Sequence, residues 1–121
     1  MKQFLTRLAA LAVVASGSIA FAQTKMEGMG GMETMMPFMA PMEKMMSAMT
    51  GMASTGNADA DFLMMMIPHH QSAIEMAKVE LETGSDPATK EMAQKIIDAQ
   101  EAEIAEMKKM IEALGFEPPA N

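Results

Sequence analysis

The chain has 121 residues, a length that allows one domain at most. It contains no Cys, which excludes disulfides, Cys-based zinc sites and a cysteine nucleophile. Sixteen acidic and nine basic side chains give a net charge of −7, which argues against a nucleic-acid partner because phosphate binding needs clustered Lys and Arg. Nineteen residues are Met, and an excess of thioether this large requires an explanation.

Residues 1–22 have the pattern of a secretory signal peptide. Lys2 and Arg7 supply the positive segment, Leu8 to Ala15 the apolar one, and Ala20-Phe21-Ala22 an A-x-A cleavage pattern. The apolar stretch is shorter than the roughly 20 residues of a membrane span, so we expect cleavage and no stable membrane anchor. The mature protein is then periplasmic or otherwise exported, in an oxidising compartment where Met is a more durable sulfur ligand than Cys.

Residues 23–36 are rich in Gly and Met. Because three glycines, among them Gly28, disfavour a helix, we predict a flexible Met-bearing tail. Beyond Pro37 the Met residues recur at spacings of three and four, which predicts an apolar stripe on a short helix over roughly 38–50. Pro41 either begins this helix at its first turn or kinks it. The stripe is Met35, Met39, Met42, Met46 and Met49.

Apolar residues at helical spacing predict a second helix from about Asp59 to Thr83. Pro68 lies inside this pattern, and its missing N–H should bend the helix beside the two histidines. We expect Gly84 to end the helix in the left-handed conformation. The predicted stripe is Leu63, Ile67, His70, Ile74, Ala77 and Leu81.

A third helix is predicted from Pro87, with Asp86 as its cap, to about Leu114, with Gly115 as its stop. Its stripe is Ala93, Ile97, Gln100, Ile104, Met107, Ile111 and Leu114. About three residues join the two long helices, so they must be antiparallel neighbours. Equal rise along both helices then pairs His70 with Gln100, Met66 with Ile104, and Leu63 with Met107.

The predicted fold class is all-α, an antiparallel helical hairpin plus a short Met-rich helix in a three- or four-helix bundle. The expected divisions are a signal peptide (1–22), a tail (23–36), the bundle domain (37–115) and a C-terminal tail (116–121). A hairpin alone leaves much of each stripe exposed, so the Met-rich helix, a second copy of the chain in a homodimer, or both must cover it.

The segment MIPHH, from Met66 to His70, carries most of the predicted chemistry. Adjacent helical residues lie about 100° apart, so the two imidazoles cannot enter one pocket from a regular helix. The chain therefore offers an inner nitrogen–sulfur set of Met66 and His70 and an outer set of His69 with Met65 and Met76. Imidazole with uncharged thioether is a soft ligand set that suits Cu(I), and Ag(I) by analogy.

The alternative interpretation is that His70 is a core histidine hydrogen-bonded to Gln100, with the neighbouring Met side chains as packing. Gln100 can fix the register of the helices and can orient His70 behind a metal, and the two roles are compatible. Met107 adds a further sulfur at the adjacent edge. Glu103, at the same edge, could be a hard ligand or support the site from behind its ligands, and the alternative is that it belongs to a solvated helix flank.

The Met series from residue 26 to residue 52 is the second signal. Met stripes are more often adaptable core than ligands, but this series continues through the Gly-rich segment, where there is no core to fill. We therefore predict weak, exchangeable metal sites at Met39, Met42, Met46 and Met49. A sacrificial sink for oxidants is a third interpretation, because Met sulfoxide forms easily.

The stretch from Asp59 to Ile111 resembles the bacterial domain-of-unknown-function family 305. The resemblance lies in Asp61-Phe62, Met66-Ile67-Pro68-His69-His70, Ala73, Met76-Ala77, Gly84, Ala93, Ile96, Gln100, Glu103-Ile104 and Met107. It implies an exported, ferritin-like helical bundle, and some similar members bind copper or silver through Met and His in metal tolerance. The chain departs from the family at Lys109-Met110-Ile111, where an aromatic residue often follows the last Met, while its dense N-terminal Met series favours the copper-type members.

A ferritin-like fold raises the alternative of a di-iron enzyme, which requires paired E-x-x-H motifs. The residue three before His69 is Met66, so that motif is absent, and Ser72 alone does not indicate a nucleophile. The sequence favours an exported, non-enzymatic Cu(I)- or Ag(I)-binding protein that sequesters the ion or transfers it to a copper-handling protein. A metal-free helical interaction module of the cell envelope is the alternative.

Overall fold

The computed structural model describes the backbone of residues 17–120 and the side chains of residues 31–120. Within these residues the chain is all-α, which confirms the predicted fold class: α1 (Gly17–Thr50), α2 (Ala58–Thr83) and α3 (Pro87–Ala113). The positive and apolar segments of the predicted signal peptide lie outside the described residues. No helix in the described part of the chain is both long and apolar enough to span a membrane.

The first helix is longer than the sequence predicts. It begins at Gly17, so the prediction of a non-helical tail over 23–36 was wrong. A glycine costs a helix only about 1 kcal/mol relative to alanine, and the Met, Glu, Gln and Lys residues around the glycines favour a helix. Pro41 lies inside α1 and does not begin it. The chain divides at Thr34, and Met35–Asn121 form a compact unit of their own.

The loop before α2 is tied to the first turn of that helix. Asn57 caps the helix, its side chain accepting hydrogen bonds from two backbone amides of the first turn. The Asp61 carboxylate accepts hydrogen bonds from Ser54 Oγ at 2.6 Å and from Thr55 N and Oγ1, both at 2.7 Å. The bond from Ser54 contributes most, followed by those from Thr55, to holding the pKa of Asp61 below its ordinary value of 3.8.

The connection between α2 and α3 is extended. Gly84 has φ −71° and ψ 158°, so the prediction of a left-handed stop there was wrong. Asp86 is extended as well, because the residue before a proline avoids the helical conformation, and a three-residue link spans the gap in this form. The Glu80 side chain occupies the place where a Cβ of residue 84 would lie, so Gly84 supplies space.

The ends of α3 follow the sequence. The Asp86 side chain accepts a hydrogen bond from the Thr89 amide at 2.7 Å, and Pro87 is the first helical residue. At the other end Gly115 has φ 87°, and the Phe116 amide donates to the Ile111 carbonyl at 3.1 Å. This hydrogen bond returns the chain toward the core, so Phe116 packs on the hairpin although the sequence assigns it to a C-terminal tail.

Two apolar clusters join α2 to α3. The first comprises Leu63, Ile67, Met107 and Ile111, with Met64, Met66, Ile104 and Phe116 against it. The second comprises Ile74, Ala77, Ala93 and Ile97, with Leu81, Ile96 and Ile104 against it. Ile104 borders both clusters, and buried His70 lies between them along α2. The two predicted stripes are therefore confirmed as the hairpin core, except that Leu114 is exposed.

The second half of α1 contacts the hairpin through an ion pair. Lys44 Nζ lies 2.6 Å from Glu75 Oε1, and Pro41 is buried. Most of the predicted stripe on α1 is exposed: Met35, Met39, Met42 and Met46. These four side chains therefore do not cover the apolar stripes of the hairpin. Of the two possibilities that the sequence raises, the one that remains for them is a second copy of the chain.

We expect Ile111→Ala to lower the free energy of unfolding by about 2–5 kcal/mol, because Ile111 is fully buried in the first cluster. Ile111→Val should lower the free energy of unfolding by about 0.5–1.5 kcal/mol. This milder variant still gives a measurable unfolding transition if the alanine variant does not fold. Urea unfolding followed by circular dichroism measures both. Met110→Ala, on the exposed neighbour, is the control, and an equal loss there would contradict the assigned core.

We expect the Asp61 contacts to make stability depend on pH. The pKa of Asp61 is lower in the folded state, so its contribution is present above the ordinary value of 3.8 and is lost as the pH falls below it. Asp61→Asn should therefore lose less stability than the wild type on acidification through this range. Asp59→Asn, whose carboxylate accepts none of the three hydrogen bonds, is the control, and the same slope in all three proteins would contradict the assignment.

Candidate metal centre

His70 is held at both ring nitrogens. Nδ1 donates to the Met66 carbonyl at 2.9 Å, and Nε2 lies 2.7 Å from Oε2 of Glu103. The side chain of His70 is 11% exposed and that of Glu103 is 56% exposed. Both partners are acceptors, so both contacts are hydrogen bonds when both nitrogens carry protons. A metal at His70 would have to displace one of them.

The partner of His70 is Glu103, not Gln100 as predicted. In antiparallel helices every Cα–Cβ bond tilts toward its own N-terminus, so His70 and Glu103 lean toward each other although their Cα atoms are offset by about one turn. The sequence-based pairing of His70 with Gln100 assumed equal rise along both helices and considered Cα positions alone. It therefore did not include the direction in which the side chains lean. Oε1 of Gln100 is buried without a hydrogen-bond partner, so its predicted support of His70 is not formed.

His69 is exposed on the neighbouring side of α2. Its ring centroid lies 6.1 Å from that of His70, with the ring planes tilted by 59°. The two imidazoles therefore differ in environment as the 100° step predicts, one buried and engaged, the other exposed. Of the two, His69 is the accessible nitrogen donor.

The predicted sulfur ligands on α2 lie in different places. Met66 is half-buried against the first apolar cluster, in which Met107 is buried. Met76 lines an apolar groove with Met92, whereas Met65 lines a cavity at the other end of the helix. Met65 and Met76 are 11 residues apart, about 16 Å of helical rise. The outer set of His69, Met65 and Met76 is therefore not gathered around one point.

The Met residues of α1 form an exposed stripe, defined as Met35, Met39, Met42 and Met46. The four side chains are 42–60% exposed. At about 100° per residue they share one face of the helix, and Lys44, which pairs with Glu75, lies on the opposite face. The stripe therefore faces away from the contact with α2.

Three further thioethers line one small cavity, which we call the loop cavity. It has a volume of about 120 Å³ and is bordered by Met49, Met52, Ala53, Ser54, Asp61 and Met65. Met52 belongs to the Met series of the sequence but not to the predicted ligands. The sequence signal for Met52 is its spacing of three from Met49. Because α1 ends at Thr50, Met52 lies outside the helical pattern that marked the other methionines.

His, Asp and Glu side chains do not cluster in the part of the chain whose side chains are described. No group of three or more of them there is arranged to hold a metal. The thioethers of the same part of the chain carry sulfur, which suits soft cations.

The fold and these side chains define an all-helical protein with an antiparallel hairpin, one engaged and one exposed histidine, and a thioether-rich surface. The chain belongs to the family described as Domain of unknown function (DUF305), whose model matches residues 1–111. It is 41% identical over 54 residues to Uncharacterized protein L153 of Acanthamoeba polyphaga mimivirus. That match covers 45% of this chain and 36% of the relative, so the chain spans about a third of the relative's length.

We expect His70→Ala to lower the free energy of unfolding by about 1–3 kcal/mol, because it removes a buried ring with two hydrogen-bonded contacts. His69→Ala, at the exposed neighbour, should change it by no more than about 0.5 kcal/mol. Thermal and urea unfolding measure both variants. Equal effects at the two histidines would contradict the different environments described above.

Proposed function

We propose that this chain is an extracytoplasmic protein that binds Cu(I), and Ag(I) by analogy, through methionine thioethers. It sequesters the ion or hands it to a copper-handling partner, without catalysing a reaction. The exposed stripe on α1 is the observation that carries this proposal. A cleaved N-terminal signal peptide belongs to the same proposal.

The exposure of the stripe sets these methionines apart from packing residues. Met fills irregular gaps in cores, yet the four stripe residues are 42–60% exposed and face away from α2. Met39, Met42 and Met46 follow one another at spacings of three and four, so each sulfur has a neighbour one helical turn away. Neighbouring thioethers at the surface can share a soft ion and exchange it readily.

The donor chemistry favours a soft monovalent ion. Thioethers are neutral and polarisable, and sulfur ligands of this kind select Cu(I) over Mg, Ca and Mn. The net charge of −7 attracts cations to the surface, and the described side chains include no cluster of three or more hard ligands. Exposed His69 adds one nitrogen donor, whereas His70 is engaged with Met66 and Glu103.

Transfer without turnover fits the same arrangement. Ligands along an exposed helix hold the ion at the surface, where a partner with its own sulfur ligands can reach it. The chain offers no E-x-x-H motif for a di-iron site. In an oxidising compartment Met keeps its donor sulfur where a free thiol would be lost to disulfides.

We expect the substitution of all four stripe residues by Leu to weaken the later, exchangeable steps of Cu(I) binding by at least about tenfold. Leu keeps the apolar volume and the helix propensity, so a loss reports on sulfur. The measurement is competition with a chromogenic Cu(I) chelator under reducing conditions, with helicity checked by circular dichroism. The variant is Met35→Leu, Met39→Leu, Met42→Leu and Met46→Leu combined.

The matched control is Met92→Leu with Met110→Leu, two exposed thioethers outside the stripe. It should keep the affinity of the wild type. His69→Ala reports separately on the exposed imidazole. If the later steps of Cu(I) binding are unchanged in the stripe variant, or if the wild type has no measurable affinity for Cu(I), the proposal is contradicted. In the second case, a partner protein that still binds the Leu variant would indicate the metal-free interaction module.

A further inference from the structure

The loop cavity is lined by methionine side chains from three successive segments. Met49 lies in the last turn of α1, Met52 in the following loop, and Met65 in α2. Met49 and Met52 are half-buried and Met65 is 44% exposed. Three methionines therefore line a space of about 120 Å³, and Met65 is the most exposed of them.

The backbone that carries these residues is held in place. Asp61 binds Ser54 and Thr55 through three hydrogen bonds of 2.6–2.7 Å. On the α1 side the Met52 amide donates to the Met49 carbonyl at 3.4 Å and the Gly51 amide to the Ser47 carbonyl at 3.1 Å. Ligands on a supported backbone lose less entropy when an ion binds than ligands on a free helix face.

The cavity also carries negative charge. The Asp61 carboxylate borders it, and hydrogen bonds from Ser54 and Thr55 keep the pKa of Asp61 below its ordinary value. The carboxylate is therefore ionised at neutral pH. A negative charge beside neutral sulfur donors favours a cation over a neutral ligand.

We propose that Met49, Met52 and Met65 form a discrete three-thioether site for one Cu(I) or Ag(I) ion, distinct from the stripe on α1. The proposal rests on the proposed function, because it assumes that the chain handles a soft monovalent cation. Sulfur ligands without thiolate suit this class of ion. The site fills before the stripe, since its ligands are gathered and supported in advance.

Occupancy of this site has a structural consequence. An ion held by all three sulfurs links the end of α1 to α2 through the loop. Because the ion binds the folded arrangement, it stabilises that end of the protein against unfolding. The stripe lies on one helix face and creates no such link.

The test is a titration of the full exported chain, labelled at the methionine methyl groups, with Ag(I) followed by NMR. Ag(I) is diamagnetic and stable in air, and single Met→Leu variants assign the resonances. We expect the methyl signals of Met49, Met52 and Met65 to shift together with the first equivalent. A first equivalent that shifts the stripe and leaves these three unchanged overturns this inference while the proposed function stands.

The combined variant Met49→Leu, Met52→Leu and Met65→Leu supplies a second measurement. We expect the first Ag(I) binding step to weaken at least about tenfold, with helicity preserved, and the Met92→Leu, Met110→Leu control to bind as the wild type does. An unchanged first step in the triple variant overturns the three-thioether site. No Ag(I) or Cu(I) binding by the wild type overturns the proposed function itself.

Discussion

The contact between the apolar stripes of α2 and α3 positions the rest of the described compact unit. It consists of aliphatic and thioether side chains in two clusters that meet at Ile104. His70 interrupts this contact on α2, and a buried imidazole is tolerated only when its nitrogens have partners. Met66 and Glu103 supply them. The histidine that the sequence marks as a metal ligand is therefore first a part of the hairpin.

Features that depend on neighbouring residues could be predicted from the sequence. Helical periodicity predicts the apolar stripes of α2 and α3. Local backbone preference predicts the start of α3 at Asp86–Pro87 and the left-handed conformation of Gly115. The His70–Glu103 contact could not be, because it depends on how side chains lean across two helices. Gly84 was misjudged because the short link to Pro87 requires an extended chain. The helix through Gly28 was missed because the glycine cost is small against the surrounding helix formers.

The methionines of the compact unit occupy three kinds of environment. Met107 is buried and Met66 half-buried in the hairpin, the stripe on α1 is exposed, and the loop cavity gathers side chains from three segments. One residue type thus both fills the hairpin core and lies exposed at the surface. The sequence predicts the spacing of these residues, but burial depends on which helix faces meet. That explains why Met66 and Met76, two of the residues first marked as ligands, contribute to apolar surfaces.

The return of the chain at Gly115 affects how readily this end of the hairpin opens. Phe116 packs on the first cluster, and Pro118 and Pro119 are half-buried. Loss of the Phe116 ring would expose apolar surface of that cluster to water, and the end of α3 would fray more readily. The residues that follow Gly115 therefore act as a seal over the first cluster.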